Sequence, residues 1–327
     1  MASAPTETPQ AEHLALRQGC GVIDRSERGR LALTGSGAVE FLNGQVTNEL
    51  ADLQPGEGRY AAFLTHKGKM LGDLRILALA GHDGGLELLL DTERSALQAL
   101  FDMIRRFKVG YDVELHKRTL ETGLLSLIGP DAAQLAGARS LDAAEHCNAP
   151  LSLDGLDVLA VRTDVGVDLI CAAEDTSRLL GALRDRGAVA VGEPAVECLR
   201  IELGRPRYGV DLDDSVIPQE AGLNDRAVSF TKGCYVGQET VARLFYKGKP
   251  NRHLRGLKLS GAGAPGEELR LGERVVGHLT SVVDSPARGP IGLALVRREA
   301  EIGASVEVGH EGVTGRVIEL PFPVESQ

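Results

Sequence analysis

From about Leu254 the chain changes texture, and that change limits the folds open to it. Before it, strand-like runs mix with helix-like ones. After it come short alternating stretches at residues 257–259, 268–271, 274–283, 291–296 and 305–308, separated by Gly and Pro turns. Short strands at that spacing predict a small all-β barrel or sandwich. Length agrees: 327 residues exceed the roughly 250–300 that a single core usually holds. The expected organisation is a disordered tail over 1–12, an N-terminal region over 13–246 and a C-terminal β-barrel over 247–327. The boundary falls in a basic stretch carrying Gly248 and Pro250.

The N-terminal region reads as mixed elements. Residues 30–34 alternate like a strand. Gly35, Ser36 and Gly37 follow, then a helix expected from Ala38 to about Leu50, with Ser36 as its N-cap. Strands are expected at 60–64 and 73–80, joined by a hairpin tip at Lys67-Gly68-Lys69. Asp91 is expected to open a helix in which Leu97, Leu100, Phe101, Ile104 and Phe107 recur at helical spacing. Further strands are expected at 111–115, 157–162 and 167–171, and helices at 175–186 and 193–203. Residues 205–227, with Pro206, Pro218 and several aspartates, read as a long irregular loop.

Composition excludes several functions. Net charge is −10, from 36 basic and 46 acidic residues, which disfavours broad phosphate-backbone binding. Aromatics are 4% with no Trp, so base-stacking platforms are not expected. No apolar run approaches the ~18 residues of a membrane span. The five cysteines, Cys20, Cys147, Cys171, Cys198 and Cys234, are odd in number and never form a C-x-x-C pair. That pattern fits a reducing, cytoplasmic setting without a permanent metal centre. The first dozen residues lack basic character and do not read as a targeting peptide.

Residues 231–243 hold the strongest chemical signal. Cys234 follows Lys232 and Gly233 and precedes Gly237 and a helix-forming segment. A nearby cation or helix N-terminus lowers a thiol pKa and makes a thiolate available. Most free cysteines are instead small buried apolar groups, and neither His253 nor His278 has local support as a general base. Gly261 to Gly266 match G-x-G-x-x-G in letter, but Pro265 and the strand-like 268–271 make this a turn between strands. Among acids, Asp211, Asp213 and Asp214 read as a solvated loop, and Asp164 as a turn residue.

Lys232-Gly-Cys-Tyr-Val-Gly-Gln-Glu239 resembles the K-G-C-[YF]-x-G-Q-E signature of the YgfZ family, folate-binding relatives of the glycine-cleavage T-protein (aminomethyltransferase). The signature residues are Lys232, Gly233, Cys234, Tyr235, Gly237, Gln238 and Glu239. Residues 44–48, 55–60, 199–204, 217–220, 277–281 and 291–294 resemble superfamily motifs, so the similarity spans nearly the whole chain. The resemblance implies an α+β, GcvT-like multi-domain fold, with two interwoven antiparallel-sheet and helix subdomains around a folate pocket plus the barrel. It implies tetrahydrofolate as ligand, with Asp164, Tyr60 and Asp73 lining its pocket.

It also implies support of iron–sulfur enzymes, including radical enzymes that methylthiolate tRNA. Cys234, Lys232 and Asp73 would be the chemical residues, Cys234 meeting a cluster transiently and iron–sulfur client or assembly proteins being the partners. Two features depart from the T-protein pattern. The catalytic Asp-Asp pair corresponds to Gly72-Asp73, so one acid remains. The pterin-binding glutamate corresponds to Asp164, one methylene shorter, and the pterin-side arginine to Val196. Glycine-cleavage aminomethyl transfer is therefore not expected. The alternatives are a folate-dependent aminomethyl or methyl transferase or demethylase, with Asp73 positioning the substrate amine, and a non-catalytic scaffold.

Overall fold

The computed structural model describes residues 8–81, 84–309 and 312–323. The chain opens with α1 (Pro9–Gln18), β1 (Gly21–Asp24), β2 (Gly29–Thr34), α2 (Ala38–Asn43), β3 (Gly58–Leu64), β4 (Met70–Ala80), β5 (Leu86–Thr92), α3 (Leu97–Phe107) and β6 (Glu114–Lys117). It continues with β7 (Thr122–Ile128), α4 (Ala132–Leu135), β8 (Asn148–Leu153), β9 (Leu156–Arg162), β10 (Gly166–Ala172), α5 (Thr176–Asp185), β11 (Val189–Ala190) and α6 (Glu193–Glu202). The remainder is α7 (Asn224–Ala227), α8 (Gln238–Lys247) and six strands, β12 (Arg252–Leu259), β13 (Glu268–Leu271), β14 (Arg274–Ser285), β15 (Gly289–Arg297), β16 (Ser305–Val308) and β17 (Val313–Ile318).

These strands form a five-stranded sheet ordered β3-β4-β5-β2-β6, a six-stranded sheet ordered β11-β1-β7-β10-β9-β8, and a closed barrel ordered β12-β15-β14-β13-β16-β17. The two sheets are interwoven, because β1 precedes β2 in the chain yet pairs with β7 and β11 of the other sheet. The architecture is the expected α+β fold with a C-terminal barrel. No helix among the described residues is long and apolar enough to cross a membrane.

Strand alternation decides what each sheet buries. Leu31, Leu33, Leu88 and Leu90 face one side and pack with Phe41 of α2 and with Leu100 and Ile104 of α3. Their neighbours Ala32 and Leu89 face the other side and meet Leu124, Val161 and Ile170 of the second sheet. Ions join the sheets as well. Asp91 on β5 accepts from Arg28 (3.1 and 2.9 Å) and from Arg75 on β4 (2.8 Å), and Arg75 reaches Asp168 on β10 at 2.6 Å. Burial alone would raise the Asp91 carboxyl, but Arg28 and Arg75 hold it well below the usual carboxylate range.

Several expectations need correction. Asp91 does not start a helix. It lies in β5, fully buried, and α3 begins only at Leu97. The helix expected to reach Leu50 stops at Asn43, where Gly44 turns its N–H back to Glu40 and Phe41. Val46 and Leu50 remain buried, but Val46 bridges to Phe63 and the Leu50 N–H bonds the Asn43 side chain. Ser36 bonds Asp112 instead of capping α2, whose N-cap is Gly37. The strand expected at 111–115 runs over Glu114–Lys117. Of the expected tail, residues 1–7 lie outside the described residues. From Pro9 the chain is helical, because Thr8 caps Ala11, Pro9 suits the first turn, and Glu12, His13 and Leu16 are buried. β1, β8, β11 and β17 lie outside the expected strands; β17 alternates in burial, but one of its inward positions is Gly315, which has no side chain to signal it.

Replacing Asp91 by Ala leaves two buried guanidinium groups short of a counter-charge. We expect a loss of about 3–5 kcal/mol, read as a lower urea midpoint; a midpoint unchanged from the parent protein contradicts this role.

Candidate functional site

A cavity of about 250 Å³ opens between the two sheets and α6. Tyr60 and Asp73 line it from β3 and β4. In that hairpin Tyr60 stands opposite Arg75, two residues from Asp73, so the three side chains share a face. Tyr60 Oη donates to Asp73 Oδ2 at 2.7 Å. Asp73 is only 7% exposed. Burial raises its carboxyl to about 6, the Tyr60 hydrogen bond and Arg28 opposing and Glu93 assisting. Burial and the neighbouring carboxylate in turn push the Tyr60 phenol well above its ordinary range.

Asp164 lines the same cavity from the turn between β9 and β10, closed by the Thr163 N–H to Gly166. Its Oδ2 lies 2.8 Å from Arg205 Nε and 3.9 Å from Arg226. Arg226, on the short α7, also pairs with Glu145 and sits 5.3 Å from the centre of the Tyr60 ring. Val196 and Leu199 of α6, with Ile128 and Val165, supply an apolar wall. Within a lining rich in arginines and carboxylates, the cavity thus sets the raised Asp73 carboxyl and the Asp164 carboxylate, paired with Arg205 and Arg226, against an apolar face.

His146 completes the lining and was not foreseen. It is buried, takes a left-handed backbone conformation (φ 72°), and its ring lies 6.2 Å from that of Tyr60. Neither ring nitrogen makes a hydrogen bond among the described residues, although Nε2 lies 3.5 Å from Glu145 Oε1. Burial, with Arg75 and Arg226, lowers its pKa to about 3, so the ring is neutral. A neutral imidazole offers one donor and one acceptor. No local pattern around Glu145-His146-Cys147 signals this; neither do Arg205 and Arg226 stand out, because their partners are tens of residues away.

The cavity brings Tyr60, Asp73 and Asp164 together; Lys232 and Cys234 lie outside its lining. Lys232 faces inward. Its ammonium donates to the carbonyls of Asn43, Val46 and Asn48 at 2.7, 2.9 and 2.6 Å. Burial pulls its pKa down to about 8, with Glu49 pulling the other way. All three N–H bonds of the ammonium are engaged by the 43–48 turn, which corrects the expectation that Lys232 serves the thiol. Cys234 is exposed.

The rest of the signature braces the same region. The Val236 N–H reaches the Gly44 carbonyl, and Gln238 bonds the carbonyls of Tyr235 and Gly233. Gly237 is left-handed (φ 87°) at the start of α8, and a Cβ there would lie 2.6 Å from the Thr65 carbonyl. Only glycine fits that approach to the 65–68 hairpin. Tyr235 is buried and Glu239 exposed. Asp211, expected in solvent, is instead buried and accepts from Arg200, Thr280 and Ser281, tying the loop to the barrel. The 261–266 stretch is a turn between β12 and β13.

Residues 3–232 match the GCVT N-terminal domain, and residues 252–323 match the glycine cleavage T-protein C-terminal barrel domain. The aminomethyltransferase of Geobacillus kaustophilus is 32% identical over 95% of this chain and 89% of its own length. A putative chloroplastic transferase of Arabidopsis thaliana is 29% identical over 94% of this chain and 72% of its own. The crystal structure of the glycine cleavage system aminomethyltransferase T from Bartonella henselae superposes with a TM-score of 0.84 and 26% identity, covering 96% of this chain and 89% of that one. The same barrel, the same interwoven sheets and matches along both parts of the sequence agree: this chain belongs to the glycine cleavage T-protein family.

Proposed function

We propose that the chain binds a reduced folate in the cavity and transfers a one-carbon unit to or from an amine, as a folate-dependent transferase or demethylase. The observation that carries this reading is the buried Tyr60–Asp73 pair, a carboxyl raised to about 6 and held in one orientation inside a cavity. A carboxyl poised near neutrality suits both holding an ammonium and taking up its proton.

The donor set fits a pterin. A pterin edge presents N–H donors beside a ring carbonyl. Asp164 supplies acceptor oxygens, Arg205 and Arg226 supply donors, and the neutral ring of His146 supplies one of each. The apolar wall at Ile128, Val165, Val196 and Leu199 suits a flat ring face. The cavity volume is just below the usual range of about 300–1,000 Å³ for small-molecule sites, so it suits the ring end of a folate while the tail extends outward. When bound, tetrahydrofolate would supply the nitrogens that carry the one-carbon unit. The protein's own part is to exclude water, to orient Asp73 through Tyr60, and to hold the substrate amine against the Asp73 carboxylate.

A second reading rests on the exposure of Cys234. Here the folate protein belongs to the YgfZ branch and supports iron–sulfur enzymes, including radical tRNA-methylthiolating ones, with Cys234 exchanging thiols with a client or touching its cluster. One thiolate does not hold a cluster alone, so the client supplies the remaining ligands. If cells carrying Cys234→Ala keep full tRNA methylthiolation, this second reading fails.

The main reading predicts that the protein, incubated with tetrahydrofolate and simple N-methylated amines, forms 5-methyl-tetrahydrofolate and the demethylated amine, the methyl group moving from one nitrogen to the other without a change of oxidation state. Asp73→Asn should lower that rate by about 10²–10⁴-fold while leaving folate binding in place. The rate should climb as pH rises through about 6. No product from any amine, or an Asp73→Asn variant as fast as the parent, contradicts it.

The same carboxyl predicts a stability effect. Folding raises Asp73 from 3.8 to about 6, so the folded state holds the proton more tightly. Its favourable contribution is complete below the unfolded value and is lost as pH rises through about 6. Asp73→Asn should therefore be more stable than the parent by about 2–3 kcal/mol above neutrality. The gap should close below pH 4; denaturant midpoints measured across that range decide it.

A further inference from the structure

Away from the cavity, three buried side chains from distant parts of the chain converge where α1, α6 and the barrel meet. Cys198 and Glu202 are four residues apart on α6, which puts them on one face of that helix. His13 reaches them from α1, and Ser285 from the end of β14. His13 Nε2 lies 3.0 Å from Glu202 Oε1, and Cys198 Sγ lies 3.8 Å from the same oxygen. The three ligand atoms all fall within 4.8 Å of one another. His13, Cys198 and Glu202 are 6, 4 and 1% exposed.

We propose that His13, Cys198 and Glu202 form a binding site for a thiophilic divalent cation of the zinc class. Zinc bonds of about 2.0–2.3 Å give tetrahedral edges of about 3.3 Å between N and O and about 3.6 Å between S and O. The two separations to Glu202 Oε1 differ from these edges by a few tenths of an ångström, and the His13 nitrogen and Cys198 sulfur lie within 4.8 Å of each other. A sulfur, an imidazole nitrogen and a carboxylate oxygen are a donor set that selects zinc over calcium or magnesium. Ser285 Oγ donates to Glu202 Oε1 and itself accepts the Ala287 and Arg288 N–H groups, so the carboxylate is oriented from outside the site.

A second observation points the same way. Glu202 Oε2 is buried without a hydrogen-bond partner among the described residues, and Arg17 approaches it only to 3.7 Å. Cation binding requires Cys198 as a thiolate and a free lone pair on His13 Nε2, so protons on these atoms pass to solvent as the ion enters. Thiolate and carboxylate together balance the two charges of the ion, and Arg17 stays on the outer side. The scarcity of closely spaced cysteines does not bear on this site, whose ligands lie almost 190 residues apart in the chain. An ion here would pin the N-terminal helix to α6 beside the barrel.

The test is a titration of the chelator-treated, full-length protein with Co²⁺ and then Zn²⁺. The proposal expects one equivalent of Co²⁺ to give thiolate-to-cobalt charge-transfer and tetrahedral visible bands, displaced by Zn²⁺, and Zn²⁺ to raise the thermal midpoint. Cys198→Ser should abolish the charge-transfer band, and His13→Gln should weaken binding by about tenfold or more. Cys234→Ser, which removes the exposed thiol, should keep the band. Absence of the bands in the parent protein at excess Co²⁺ overturns the proposal; so does a charge-transfer band that survives Cys198→Ser or vanishes in Cys234→Ser. Circular dichroism reports whether each variant is folded, and the parent titration decides the matter if Cys198→Ser is not.

Discussion

The Asp91 carboxylate, gripped by Arg28 and Arg75, is the interaction on which the site depends. Burying charge is costly unless every partner is engaged, and removal of one member strands the others. Here the chain of pairs runs from the loop before β2 through β4 and β5 to Asp168 on β10, so it fixes one sheet against the other. The cavity lies along that seam. Because Arg28 is engaged by Asp91 and Glu93, its charge offsets only part of the desolvation of Asp73. That is why a carboxyl beside an arginine is still raised to about 6. Structural pairing and a poised acid are two results of the same arrangement.

The signature around Cys234 takes on a different meaning in this frame. Lys232 caps three carbonyls of the 43–48 turn, and Gly237 lets α8 begin against the 65–68 hairpin. The 43–48 turn is joined to the cavity wall as well: the Asn48 side chain bonds the carbonyls of Tyr60 and Arg226. The motif therefore steadies the cavity from behind while holding Cys234 at the surface.

Much of the fold could be read locally. The hairpin through Lys67-Gly68-Lys69 and most barrel strands follow period-two alternation and turn residues, which are short-range signals. Asp91 misled because an acid before a helical pattern looks like a helix start, whereas its partners Arg28 and Arg75 are visible only in three dimensions. Lys232 misled in the opposite way. It adjoins Cys234 in sequence, but its side chain turns inward to the 43–48 turn. Tyr60, Asp73 and Asp164 were legible through family resemblance. His146, Arg205 and Arg226 were not, since each acquires its setting from elements far along the chain. The buried His13, Cys198 and Glu202 cluster shows the same limit: only the helical spacing of Cys198 and Glu202 was there to be seen.

The account stands or falls on whether a reduced folate occupies the cavity through Asp164. Calorimetric titration of tetrahydrofolate into the parent protein and into Asp164→Ala is the most direct test. The account predicts a single saturable site, with affinity reduced by about 10–100-fold on loss of a charge-assisted hydrogen bond in the variant. Absence of binding by the parent protein, or equal affinity in the two, would contradict it.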